Sequence, residues 1–128
     1  MSEGSSPLVE AARDEFGDRL RAVIRYRIEG ERPTSDLLFL RDDLAATHDD
    51  VDEYAADLSA DYTFESIERR WHERIHGAGS FRATVRVFEE EAELRLHAGL
   101  GDGYSVHVDP AALAETVAFL DQLEDVDV

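Results

Sequence analysis

His72-Glu73-Arg74-Ile75-His76 is the segment whose residue types and spacing most directly suggest chemistry. Two histidines four apart on a helix face one way and can hold zinc, and a glutamate beside the first can take a proton from metal-bound water. That would be metal-assisted hydrolysis, with His72 and His76 as ligands and Glu73 as base. Gly79 extends the match to H-E-x-x-H-x-x-G, but the third histidine of that longer pattern would fall at 82, where the chain has Arg82. The helical wheel also opposes it. Phe64, Ile67, Trp71 and Ile75 form the apolar stripe, and at ~100° per residue the two histidines lie about 100–140° from Trp71. They share a polar shoulder with Glu65 and Arg69. The reading is therefore two solvated helical histidines, with no catalytic residue, no metal and no cofactor. A small zinc-dependent hydrolase stands as the alternative.

A second pattern lies in the arginines. Arg21, Arg25, Arg27, Arg82, Arg86 and Arg95 alternate with apolar residues along strand-like segments. This spacing predicts that they gather on the non-core face of a sheet. Arg25, Arg27, Arg82 and Arg86 are the candidate interaction surface. Guanidinium groups gathered there could take a carboxylate or phosphate, which would make the chain an anion or metabolite sensor. The competing reading is internal pairing, with Glu93 and with the acids of 49–65, among them Asp49, Asp50, Asp52 and Glu53. Gly99-Leu-Gly-Asp-Gly103 sits between two strands and lacks the following helix a phosphate loop needs, so it reads as a turn. Ser59, Ser66, Ser80 and Ser105 lack the G-x-S-x-G context of a nucleophile elbow.

Composition sets the setting for these groups. Thirteen basic residues, all arginine, stand against thirty acidic ones, giving a net charge of −17. At ordinary ionic strength the Debye length is roughly 8 Å, and molar salt cuts it to about 3 Å. Such a chain suits strong brine, where self-repulsion is screened. The absence of lysine, whose aliphatic stem adds apolar surface, points the same way. The pattern resembles cytoplasmic proteins of salt-in halophilic archaea. Hydrophobic residues make up 43%, enough for a core, and there is no cysteine for a disulfide or thiolate site. No apolar run reaches the ~20 residues that span a bilayer, and Met1–Ser6 does not read as a signal peptide. The expectation is a cytoplasmic protein whose acidic surface disfavours nucleic acid and membrane as partners.

The elements follow from periodicity. Ser6 caps and Pro7 begins a first helix, with Val9, Ala12 and Phe16 inward and Gly17 as the stop. From Arg21 the period is two, with Ile24, Tyr26 and Ile28 read as the core side. Residues 29–35 read as a loop, and Asp36–Arg41 as a strand apolar on both faces, hence covered on both sides. Residues 48–76 read as two helices with a break near Asp61, or one kinked helix. Phe81–Val87 and Ala92–Ala98 read as a hairpin. Its register puts Val85 against Leu94, Ala83 against Leu96 and Arg86 against Glu93, so apolar meets apolar and charge meets opposite charge. Tyr104–Val108 is the next strand. Asp109 then caps a last helix from Pro110, with Leu113, Val117 and Leu120 inward and Phe119 and Leu123 as further inward candidates. The predicted fold class is α+β: a five-stranded antiparallel sheet with helices around it, in the order α-ββ-α(α)-βββ-α. It forms one domain over 6–123, with flexible ends at 1–5 and 124–128.

This order resembles the roadblock (dynein light chain type) family within the profilin-like group. The segments that carry it are Pro7–Phe16, Arg21–Ile28 with Leu37–Arg41, Asp49–Ile75, Phe81–Val108 and Pro110–Leu123. Leu20-Arg-Ala-Val-Ile-Arg-Tyr26 and Leu38-Phe-Leu-Arg-Asp-Asp43 also look like a small haloarchaeal family of unassigned function. What the roadblock resemblance implies is a non-enzymatic regulatory or scaffolding module, with a protein partner or self-association as a homodimer.

Overall fold

The computed structural model describes residues 6–29, 32–44, 74, 77, 82–99 and 102–123. The His72-Glu73-x-x-His76 motif and the division of 48–76 into helices lie outside the described residues, as do the two chain ends. Helix α1 spans Pro7–Phe16, and the strands are β1 Leu20–Glu29, β2 Arg32–Leu40, β3 Ala83–Val87, β4 Ala92–Gly99 and β5 Asp102–Val108. A 3₁₀ segment, Pro110–Glu115, leads into helix α2, Thr116–Gln122. The strands form one antiparallel sheet in the order β2-β1-β5-β4-β3. The fold is the α+β sheet-and-helix architecture that the sequence predicts.

Local signals set α1. The Ser6 hydroxyl accepts the Val9 N–H at 3.1 Å, Pro7 opens the first turn, and Gly17 ends it at φ 55°, a left-handed geometry that favours glycine. Leu8, Val9, Ala12 and Phe16 are buried. They pack with Phe119 and Ala112 onto Val23, Leu94, Leu96, Val106 and Val108. The Phe16 and Phe119 rings sit 5.0 Å apart, tilted by 59°, a contact worth about 0.5–1.5 kcal/mol beyond its area. This is the helical face of the sheet.

The hairpin register is the one the charges demand: Val85 opposes Leu94, Ala83 opposes Leu96 and Arg86 opposes Glu93. Three expectations are corrected. Residues 29–35 are mostly strand, because β2 pairs with β1 from Arg32 onward and Pro33, opposite Ile28, is tolerated on an edge strand. Being at that edge, β2 is only partly covered, and Leu37 is 38% exposed. Finally, Val117, expected inward, is 64% exposed, and the inward candidate Phe119 takes the buried position. The 3₁₀ segment winds about 20° per residue further than an α-helix, so six residues of it turn α2 away from the expected phase.

β5 lies between β1 and β4, and this decides the faces. Val23 and Arg25 oppose Val106 and Tyr104 on the helical face, while Ala22, Ile24 and Tyr26 oppose His107, Ser105 and Gly103 on the other. The supposed core side of β1 is therefore buried on the face opposite the α1–α2 core. Gly103 is required here by proximity. A methyl group on it would overlap the Leu96 carbonyl oxygen and lie 2.6 Å from the Tyr26 hydroxyl. Gly103→Ala should therefore cost about 1–3 kcal/mol by overpacking, read as a lower denaturation midpoint in concentrated KCl.

Candidate functional site

A buried polar network occupies the face opposite the helices. Glu93 and Arg95 on β4 are each 2% exposed, and Ser105 and His107 on β5 are 0% and 8% exposed. Strand alternation puts all four on one side, and the β4–β5 register sets Glu93 against His107 and Arg95 against Ser105. Arg95 Nε donates to Glu93 Oε2 at 3.0 Å, and Ser105 Oγ reaches the same oxygen at 2.6 Å. His107 Nε2 lies 2.9 Å from Ser105 Oγ, and its Nδ1 lies 3.1 Å from Glu91 Oε1. Arg86 Nη1 approaches Glu93 Oε1 at 3.9 Å, and Arg21 Nε approaches Glu91 Oε1 at 3.7 Å.

Glu91–His107–Ser105 has the connectivity of a serine hydrolase relay. Access and bonding argue for a structural role instead. Ser105 is wholly buried, and its hydroxyl is shared with Glu93 rather than aimed at a cleft. A nucleophile must reach a substrate carbonyl, and no part of Ser105 is exposed. Burying these charges is tolerable because they pair and hydrogen-bond with one another.

The second cluster closes one end of the sheet, and Asp109 is its hub. Arg41 Nη1 donates to Asp109 Oδ2 at 2.8 Å and to the Asp18 carbonyl at 2.9 Å, while Arg21 Nη1 donates to Asp109 Oδ1 at 3.1 Å. Arg41 also forks onto both oxygens of Asp43, and Arg19 onto both oxygens of Glu115. The expected N-cap is thus corrected: the Asp109 side chain makes no cap bond, because two guanidinium groups outcompete a main-chain N–H. Its main-chain carbonyl accepts the Ala112 N–H at 2.9 Å instead.

These contacts hold carboxylates below their usual range. Arg41, then Arg21, does so for Asp109; Arg41 does so for Asp43; the hydrogen bond from His107 does so for Glu91. A depressed folded value means stability present above the unfolded value, about 3.9 for Asp and 4.3 for Glu, and lost as pH falls through the folded one. Melting temperature in concentrated KCl should therefore drop below about pH 4. Asp109→Asn should lower it at neutral pH and flatten the acid limb.

The four candidate arginines do not share a face. Arg25 lies on the helical face with its guanidinium 5.4 Å from the Tyr104 ring centroid, and Arg27 follows two residues on along β1. Arg86 lies on the opposite face beside Glu93, 5.5 Å from the Phe88 ring centroid. Arg82 precedes β3 and donates to the Leu120 carbonyl at 3.0 Å. The sequence pattern assumed a single core face throughout, and the interposed β5 breaks that assumption.

β3 carries the third feature. Among the described strands it has a neighbour on one side only. Val85, Val87 and Phe88 are 41%, 59% and 47% exposed. An edge that shows backbone donors beside apolar side chains is a template for another strand. No helix among the described residues is long and apolar enough to cross a membrane.

The sequence profile of the family described as Domain of unknown function (DUF7522) matches residues 6–127. The chain belongs to this family. No curated protein matches this DUF7522 chain. Among solved structures it is similar to a Roadblock/LC7 domain from Streptomyces avermitilis, with a TM-score of 0.51 and 18% identity over 84% of each chain. It is also similar to the gliding protein MglB of Thermus thermophilus, with a TM-score of 0.59 and 14% identity over 95% of this chain and 85% of that one. The fold of the DUF7522 chain is thus roadblock-like, as its element order implies.

Proposed function

We propose that this DUF7522 chain is a non-enzymatic protein-interaction module of a regulatory kind, working in a salt-rich cytoplasm as a homodimer joined along β3. The observation that carries the reading is the edge strand with exposed Val85, Val87 and Phe88. The likeness to a gliding protein and to a Roadblock/LC7 domain supports an interaction role. The inaccessible Ser105 supports the absence of hydrolytic chemistry.

Charge narrows the register. A two-fold axis through the sheet keeps each side chain on its own face, so it must pass through a residue position. Centred on Thr84 it sets Arg82 against Arg86, and centred on Arg86 it sets that residue against itself. Both juxtapose like charges and are disfavoured. Centred on Val85 it sets Thr84 against Arg86, Ala83 against Val87, and Arg82 against Phe88, with no like pair. Each copy also carries −17, so the two repel until salt screens them, while salt favours apolar burial. Light scattering should give twice the 14.4 kDa chain mass in about 2–3 M KCl, with dissociation as salt falls. A monomer at every salt concentration would end the dimer reading.

A further inference from the structure

We infer that the cleft between the end of α1 and the end of β2 binds a small zwitterion: a carboxylate and an ammonium group on a short apolar body, the chemistry of an aliphatic α-amino acid. The cleft holds about 400 Å³, within the roughly 300–1,000 Å³ of small-molecule sites. Arg13, in the last turn of α1, and Asp18, in the 3₁₀ segment Gly17–Arg19, line it, together with Phe39, Arg41 and Asp43 at the end of β2 and just beyond. The charges among these are of two kinds. Arg41 is committed to the protein, with its donors on Asp109, the Asp18 carbonyl and both oxygens of Asp43. Asp43 is therefore committed too. Arg13 and Asp18 are not: among the described residues neither side chain makes an ion pair or a hydrogen bond, with the other or with any third group.

Both are nonetheless held in place. The Arg13 guanidinium carbon lies 5.4 Å from the Phe39 ring centroid. A cation held over a ring spends no N–H donor, so the guanidinium fork stays free to grip a carboxylate through two bonds. Asp18 is tied down through its main chain, whose carbonyl accepts Arg41 Nη1 at 2.9 Å, and its carboxylate stays free for an ammonium group. Half-buried Phe39 and the aliphatic stem of Arg13 offer apolar contact to the body of the ligand. Sign selects the ligand. A simple anion reaching Arg13 meets the carboxylates of Asp18 and Asp43, and a simple cation reaching Asp18 meets Arg13 and Arg41. Like charges brought together in this way are costly. A molecule that carries both signs avoids either conflict.

The cleft is on the β2 side of the sheet, at the opposite end of the strand order from β3, so this inference is independent of self-association. Calorimetric titration of the full chain with L-leucine, at one fixed concentration of KCl so that screening and chloride stay constant, tests it. L-Leucine should bind. Isocaproate and isoamylamine, the same body without the ammonium or without the carboxylate, should each bind at least about tenfold more weakly. Arg13→Gln and Asp18→Asn should each weaken L-leucine binding about ten- to a hundredfold, and both positions are exposed. Nuclear magnetic resonance of the wild-type chain supplies a readout that needs no variant: L-leucine should shift the amide signals of Asp18 and Phe39 and leave those of Val85 and Val87 in place. Failure of L-leucine to bind, equal affinity for isocaproate, or an unchanged affinity in Arg13→Gln overturns the inference.

Discussion

Val85→Glu should abolish the proposed β3-edge dimer, with light scattering in concentrated KCl returning 14.4 kDa instead of twice that. In the register centred on Val85, that residue meets its own copy across the axis. Opposed residues on paired strands sit roughly 4.5–5.5 Å apart at Cβ, where like charges are destabilising. The substitution also removes apolar area at the centre of the contact. Within one chain Val85 is 41% exposed, so the monomer should keep its melting behaviour. Leu37→Glu is the matched control, since Leu37 is 38% exposed on the other edge strand and should leave the mass doubled. Loss of the dimer in Leu37→Glu but not in Val85→Glu would move the interface to β2.

Glu93→Gln should be the most damaging single substitution for stability. Glu93 is 2% exposed and accepts from both Arg95 and Ser105. Neutralising it takes the carboxylate from beside Arg95, a charge that is itself 2% exposed. Removing one partner of a buried ion pair costs about 3–5 kcal/mol, because the remaining charge stays desolvated. For a domain of this size that is on the order of 10–25 °C in melting temperature. Replacing the pair together, Glu93→Leu with Arg95→Met, should recover much of the loss, since packed apolar residues often match a buried pair. A Glu93→Gln protein that melts like wild type would show the network to be dispensable.

Much of the architecture was legible because its causes are local. Ser6, Pro7 and Gly17 mark the ends of α1 through hydrogen bonds and backbone angles within a few residues. The β3–β4 register was legible because only one pairing sets Arg86 against Glu93 while Val85 meets Leu94. The polar network was not. Ser105 and His107 alternate with Tyr104, Val106 and Val108, so they read as solvent-facing positions of an ordinary strand. On β4 the sequence sets Glu93 only against Arg86 and places Arg95 only among the arginines of the non-core face, and Glu91 lies in the turn before the strand. The one available signal was that both strands carry polar groups able to bond across, Ser-x-His opposite Glu-x-Glu-x-Arg.

By itself, the sequence determined the helix caps, the hairpin register, the alternation along each strand and the acidic character of the chain, since these depend on neighbours in the chain or on sums over it. Only the tertiary structure decided that β5 lies between β1 and β4. That placement sent Arg25 to the helical face, brought His107 and Ser105 beside Glu93, and left β3 at an edge among the described strands. Alternation tells which residues of one strand share a side. It does not tell which side that is, nor which strand lies next to it, because those are settled by burying the helices and the sheet against one another over the whole chain.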